Sequence, residues 1–138
     1  MKMKVQLKRI AEPYHFQIEN ESGHTLQVDA SEKIGGENKG FRPTELVLSG
    51  LAGCASIDVL LILKKQKQDV SDVKVVVTAD RKEEIPGLFN QIHIHFSIYG
   101  NAQKDKIEKA IDLALDKYCT VAKILEPTSK IVSSFDKC

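Results

Sequence analysis

The sequence predicts a single α+β domain over residues 1–138, built in the order βββ-α-ββ-α-β. Three observations carry that prediction. Short alternating runs fill the first thirty residues, and a long apolar run starts at Pro43. Two strand-like runs rich in valine and isoleucine then precede a second segment with helical spacing.

The elements follow in order. Val5, Leu7 and Arg9 alternate with Lys4, Gln6 and Lys8, which reads as a first strand. Tyr14 to Glu19 gives a second and Thr25 to Asp29 a third, with Glu21-Ser22-Gly23 as a turn between them. Ser31 to Pro43 carries three glycines and several charges without periodicity, so it reads as a long loop. Gly35-Gly36 lacks the Gly-Lys-Ser/Thr that a phosphate loop needs. Pro43 suits the first turn of a helix, and the residues from Pro43 to Gln66 are apolar on nearly every face. Something must therefore cover that helix nearly all round. Gly50 and Gly53 permit a kink or the close approach of a neighbouring backbone. Val70 to Ala79 and Gln91 to Tyr99 are strands joined by a polar hairpin connection. Lys104 to Ile124 reads as one helix, with Ile107, Ile111, Ala114, Leu115, Tyr118, Cys119 and Ala122 on a stripe. Lys130 to Phe135 closes the chain as a short strand.

Composition narrows the function. A chain of 138 residues buries roughly two-thirds of its unfolded surface and folds without a staple. Twenty Lys and Arg against nineteen Asp and Glu leave a net charge of +1, so no global attraction to nucleic acid or anionic lipid exists. The absence of tryptophan argues against a base-stacking surface. Leu46 to Leu63 is apolar enough to suggest a membrane span, but Asp58, Ser49, Gly50, Gly53 and Ser56 interrupt it. It reads as a buried helix. Met1 to Ile10 has no apolar core of a signal peptide, and the cysteine count of three is odd. Both features point to free thiols in a cytoplasmic location.

Cys54 and Cys119 lie on apolar faces of the two long predicted helices. Two readings stand side by side. They are small hydrophobes filling a core, or they are a peroxidatic and resolving pair. The second reading needs Cα atoms within roughly 4.4–6.8 Å in the disulfide state, and their separation in sequence decides nothing. Asp58 follows Cys54 by one helical turn on the same face. Alone it would raise a thiol pKa; it helps only by anchoring a compensating network. Arg42, just before the helix, is the first candidate for a cation that stabilises a thiolate, and Arg9 the second. His93 and His95 alternate on one strand face, but a third ligand would have to come from His15, His24 or a cysteine, so no metal site is expected there. Cys138 ends the chain and frays with it.

The segments PTELVLSGLAGCASIDVL, FNQIHIHFSIYG and DKYCTVAKIL, in that order, resemble the OsmC/Ohr family of osmotically inducible and organic hydroperoxide resistance proteins. The similarity is closer to the small OsmC-like branch, with its P-x-E-L-L, G-C-x-x-x-D and late Y-C pattern. The resemblance implies an intertwined homodimer with two central helices wrapped by sheet. It also implies thiol-dependent reduction of organic hydroperoxides with an external dithiol reductant, and requires no metal or flavin. It makes Cys54 peroxidatic and Cys119 resolving, supported by an arginine and a glutamate. One position departs from the better-characterised branch: the acidic residue directly after the proline is Thr44 here, and Glu45 lies one residue later. Nine residues of straight helix turn by about 900° and advance about 13 Å, so Glu45 reaches Cys54 only through a kink near Gly50 or a partner subunit. Two other functions fit the same architecture: a non-catalytic binder of a hydrophobic small molecule, and a hot-dog-like thioesterase.

Overall fold

The computed structural model describes residues 1–138. They form two compact units, Met1–Val47 and Leu48–Cys138.

The first unit is an antiparallel sheet of β1 (Val5–Ala11), β2 (His15–Asn20) and β3 (Thr25–Val28), in that spatial order. Its register places Leu7 opposite Ile18 and Phe16 opposite Val28. The glycine-rich segment that follows is a built loop, organised by one carboxylate. Asp29 is buried, and its oxygens accept the N–H groups of Ala30 at 2.7 Å, Lys39 at 3.1 Å and Glu37 at 3.2 Å. Burial alone would raise the Asp29 pKa, but these three donors and the nearby His15 outweigh it and hold the carboxyl below its ordinary value. Glycine is required by close approach: a Cβ on Gly36 would overlap the Ala30 carbonyl, and one on Gly40 would meet the Gln27 backbone at 2.6 Å. A single turn of 3₁₀ helix, Glu32–Ile34, and a parallel bridge from Val28 to Phe41 complete the loop.

Helix α1 runs unbroken from Pro43 to Lys65. The second unit adds β4 (Asp72–Arg81), β5 (Phe89–Tyr99), α2 (Lys104–Leu113), α3 (Thr120–Leu125) and β6 (Lys130–Lys137). β5 is the central strand, antiparallel to β4 and parallel to β6. Its alternation is plain: Ile92, Ile94, Phe96 and Ile98 are buried while His93, His95 and Ser97 face the other way. Against that inner face pack Leu51, Ala55, Val59 and Leu63 of α1, spaced four apart, with Ile107, Ala110 and Ile111 of α2.

The expected helix from Lys104 to Ile124 is not continuous. Residues Ala114–Tyr118 form a wider π turn, closed by the Cys119 N–H donating to the Ala114 carbonyl at 2.7 Å. Cys119 is then extended, with φ −72° and ψ 105°, and caps α3. Of the two neighbours expected on the apolar stripe, Cys119 is fully buried, whereas Tyr118, at the end of the π turn, is 52% exposed. Length and composition alone would let α1 cross a membrane. Its Leu51–Leu63 stripe is nevertheless buried in the core of this unit.

Candidate active site

Three of the expected site residues meet within the second unit. Cys54 and Asp58 lie on successive turns of α1, beside the buried stripe and partly exposed. Cys119 arrives from the break between the π turn and α3. The two Sγ atoms and a carboxylate oxygen of Asp58 all lie within 4.8 Å of one another. At this position Cys119 is the extended cap of α3 and not a continuing helical residue. Its Sγ accepts the Ala122 N–H at 3.4 Å.

The electrostatics of the pair are asymmetric. Burial pushes the Cys119 thiol up to about 11 from its ordinary 9.0, against the Ala122 N–H, which favours the thiolate. A hydrogen bond with Cys54, and the charges of Cys54 and Asp58, push it further in the same direction. Cys119 is therefore a protonated thiol at neutral pH. A cleft of about 290 Å³ adjoins the group, lined by Asp58, Leu61, Ile62, Lys65, Gln66, Leu113 and Tyr118. The side-chain oxygen of Gln66 is buried there with no hydrogen-bond partner.

Arg42 and Glu45 are held in the first unit. The Arg42 guanidinium donates to Asn38 Oδ1 at 2.7 Å. Glu45 accepts the Arg42 N–H at 2.8 Å, which places its carboxylate at the positive end of α1. Arg9 sits 3.9 Å from Glu12, both exposed. His93 and His95 make a cross-strand network instead of joining the cysteines: Ser134 Oγ lies 2.8 Å from His93 Nε2 and 2.6 Å from His95 Nδ1. His95 Nε2 meets Asp136 at 3.0 Å. Cys138 is exposed.

Residues 36–134 match the family model described as OsmC-like protein. The chain belongs to the OsmC-like family. Protein YhfA of Escherichia coli K12 is 40% identical over 122 residues, 88% of each chain. A protein of Aquifex aeolicus VF5 superposes with a TM-score of 0.88 at 28% identity, covering 100% of this chain and 97% of the other. The organic hydroperoxide resistance protein OsmC of Legionella pneumophila shares the fold at a TM-score of 0.76 and 16% identity, covering 99% and 97%. OsmC-like structures repeat the strands, helix, strands, helix, strand order found here. Two contributors to the local architecture are not evident from the strand and helix patterns. Asp29 ends a strand in the sequence pattern, although an acidic residue before a glycine-rich stretch is a signal for loop capping. The break before α3 left no such signal, since the apolar spacing continues through it.

Proposed function

We propose that this OsmC-like protein reduces organic hydroperoxides by a two-cysteine mechanism. The observation that supports it best is the approach of the Cys54 and Cys119 sulfurs to within 4.8 Å. Cys54, the more exposed thiol, is the one a substrate reaches first. Its thiolate attacks the distal peroxide oxygen, the O–O bond breaks, and the alkoxide leaves and takes up a proton as the alcohol. Cys54 becomes a sulfenic acid, which carries no charge. Oxidation thus removes the Cys54 charge that helped keep Cys119 protonated. Cys119 then gives up its proton and attacks the Cys54 sulfur, and the oxygen leaves as water. The sulfurs must close to about 2.05 Å for that bond. An external dithiol returns both thiols by exchange and is itself oxidised to a disulfide.

In this proposal Asp58 belongs to the supporting network and Glu45 holds the Arg42 backbone at the head of α1; Arg42, twelve residues ahead of Cys54 on an unbroken helix and bonded to Asn38, would stabilise the charge that develops at Cys54 from a second copy of the chain. In this reading the chain acts as a homodimer, because Ile57 and Leu61 of α1 are left 61% and 51% exposed, and its location is the cytoplasm, where thiols stay reduced. Leu61, Ile62 and Leu113 give the cleft an apolar wall. Each buried CH₂ of a substrate adds about 0.8 kcal/mol, so alkyl hydroperoxides should turn over faster than hydrogen peroxide.

The deciding experiment treats wild type and Cys138→Ser with one equivalent of an alkyl hydroperoxide, without reductant. Free thiols are then blocked and the peptides read by mass spectrometry. A Cys54–Cys119 disulfide formed within seconds is expected. Two thiols left reduced would overturn the mechanism. The same apolar cleft then favours a binder of a hydrophobic small molecule, which native mass spectrometry would detect.

A further inference from the structure

We infer that Cys54, Asp58 and Cys119 also form a binding site for a thiophilic divalent cation of the Zn²⁺ class. The geometry comes first. Three donor atoms that lie within 4.8 Å of one another share a point no more than about 2.8 Å from each, the triangle's side divided by root three. Zinc bonds to thiolate and carboxylate run about 2.3 and 2.1 Å. Donor movements of well under an ångström therefore complete three bonds, within the reach of small side-chain rotations.

The donor set fits the ion. Two thiolates select soft or borderline cations over magnesium and calcium, and one carboxylate is an accepted third ligand. Two of the donors, Cys54 and Asp58, come from one helix four residues apart, a spacing that sets ligands on a common face. The third comes from the backbone break, where Cys119 is a cap. Three protein ligands leave a fourth position, and Asp58 also lines the cleft through which water or a small anion would reach it.

Asp58 would act here as a direct ligand, beyond its place in the network around Cys54. Beside a dication its carboxylate is a third anionic donor. Binding displaces the proton of each thiol to solvent.

A consequence for turnover rests on the peroxidase reading. A cation held by both sulfurs occupies the Cys54 nucleophile and protects it from peroxide. When peroxide does oxidise the pair, two electrons pass from the sulfurs to the O–O bond, the S–S bond forms as the O–O bond breaks, and two protons return from solvent to the two oxygens. The products are the alcohol, water and the disulfide, and the cation loses two of its three ligands. Oxidation and cation release are one event.

The test uses the reduced full-length chain carrying Cys138→Ser, with Co²⁺ as spectroscopic probe and Zn²⁺ competed against a chromophoric chelator. About one equivalent per chain is expected, with a sulfur-to-cobalt charge-transfer band. Cys54→Ser and Cys119→Ser should each weaken that band, and Asp58→Asn should weaken Zn²⁺ binding more than about tenfold. Because Cys119 is fully buried, its variant is checked for folding by circular dichroism. The disulfide form of the Cys138→Ser chain, or Cys54→Ala where no disulfide forms, supplies a second control that should not bind. Binding that survives loss of the cysteines, or no stoichiometric binding at all, would overturn the site. Peroxide consumption by the metal-free chain is measured separately. Turnover without cation binding overturns this inference alone, and cation binding without turnover overturns only the peroxidase reading.

Discussion

Cys119 experiences opposing influences at one sulfur: a backbone N–H that favours its thiolate, and burial, Cys54 and Asp58 that favour the thiol. Burial wins, and the folded chain holds this proton more tightly than the unfolded one. Unfolding then releases the proton between pH 9.0 and about 11, so stability contributed by the neutral thiol is full below that window and lost as pH rises through it. Denaturant midpoints of wild type should fall more steeply over that range than those of Cys119→Ala. Equal slopes would show that the burial does not act on the proton. At this scale the sequence is informative where one helix relates the residues: the four-residue step from Cys54 to Asp58 sets them on one face. The meeting with Cys119, sixty-five positions further on, was not legible. It depends on packing between elements, which periodicity does not encode.

The elements were legible to different degrees for physical reasons. β5 declares itself because its faces differ, isoleucine and phenylalanine inward and histidine and serine outward. α1 declares itself by length, with Pro43 at its first position and Lys64 and Lys65 in its last turn. The second helix looks continuous in sequence because a π turn adds a residue without adding a polar or glycine signal. The glycine-rich loop was recognised as a loop, but its organiser was not. That organiser makes a prediction at the scale of the element. Asp29→Ala removes the acceptor of three backbone donors, so the amides of Ala30, Glu37 and Lys39 should lose hydrogen-exchange protection while β4–β6 keep theirs. Acid should have the same effect on the wild-type loop, because the depressed carboxyl stabilises it above the unfolded pKa and ceases to do so as pH falls through the folded one. Unchanged protection in the variant would mean that the glycine close approaches, and not the carboxylate, hold the loop.

For the whole molecule, the apolar circumference of α1 sets the requirement. The chain's own core covers Leu51, Ala55, Val59 and Leu63, while Ile57 and Leu61 remain largely in water. Each still exposes a little over half of its surface, so burying the rest is worth about 0.8–1.8 kcal/mol. A twofold interface repeats each contact, since the same patch serves both copies. Four such side chains at one contact supply about 3–7 kcal/mol toward an association cost of about 4–15 kcal/mol, so they favour a second copy on this face while further contacts supply the rest. Leu61 also lines the cleft beside Asp58, so the same contact would border the site. Light scattering on the eluting protein should give about twice 15.4 kDa for wild type. Ile57→Glu places a charge on the contact in both copies and should shift the mass to that of one chain. The disulfide test applied to the separated chain then tells whether assembly serves the chemistry or only the core. A wild type that elutes as one chain at tens of micromolar would sink the dimer, and α1 would need another partner for that face.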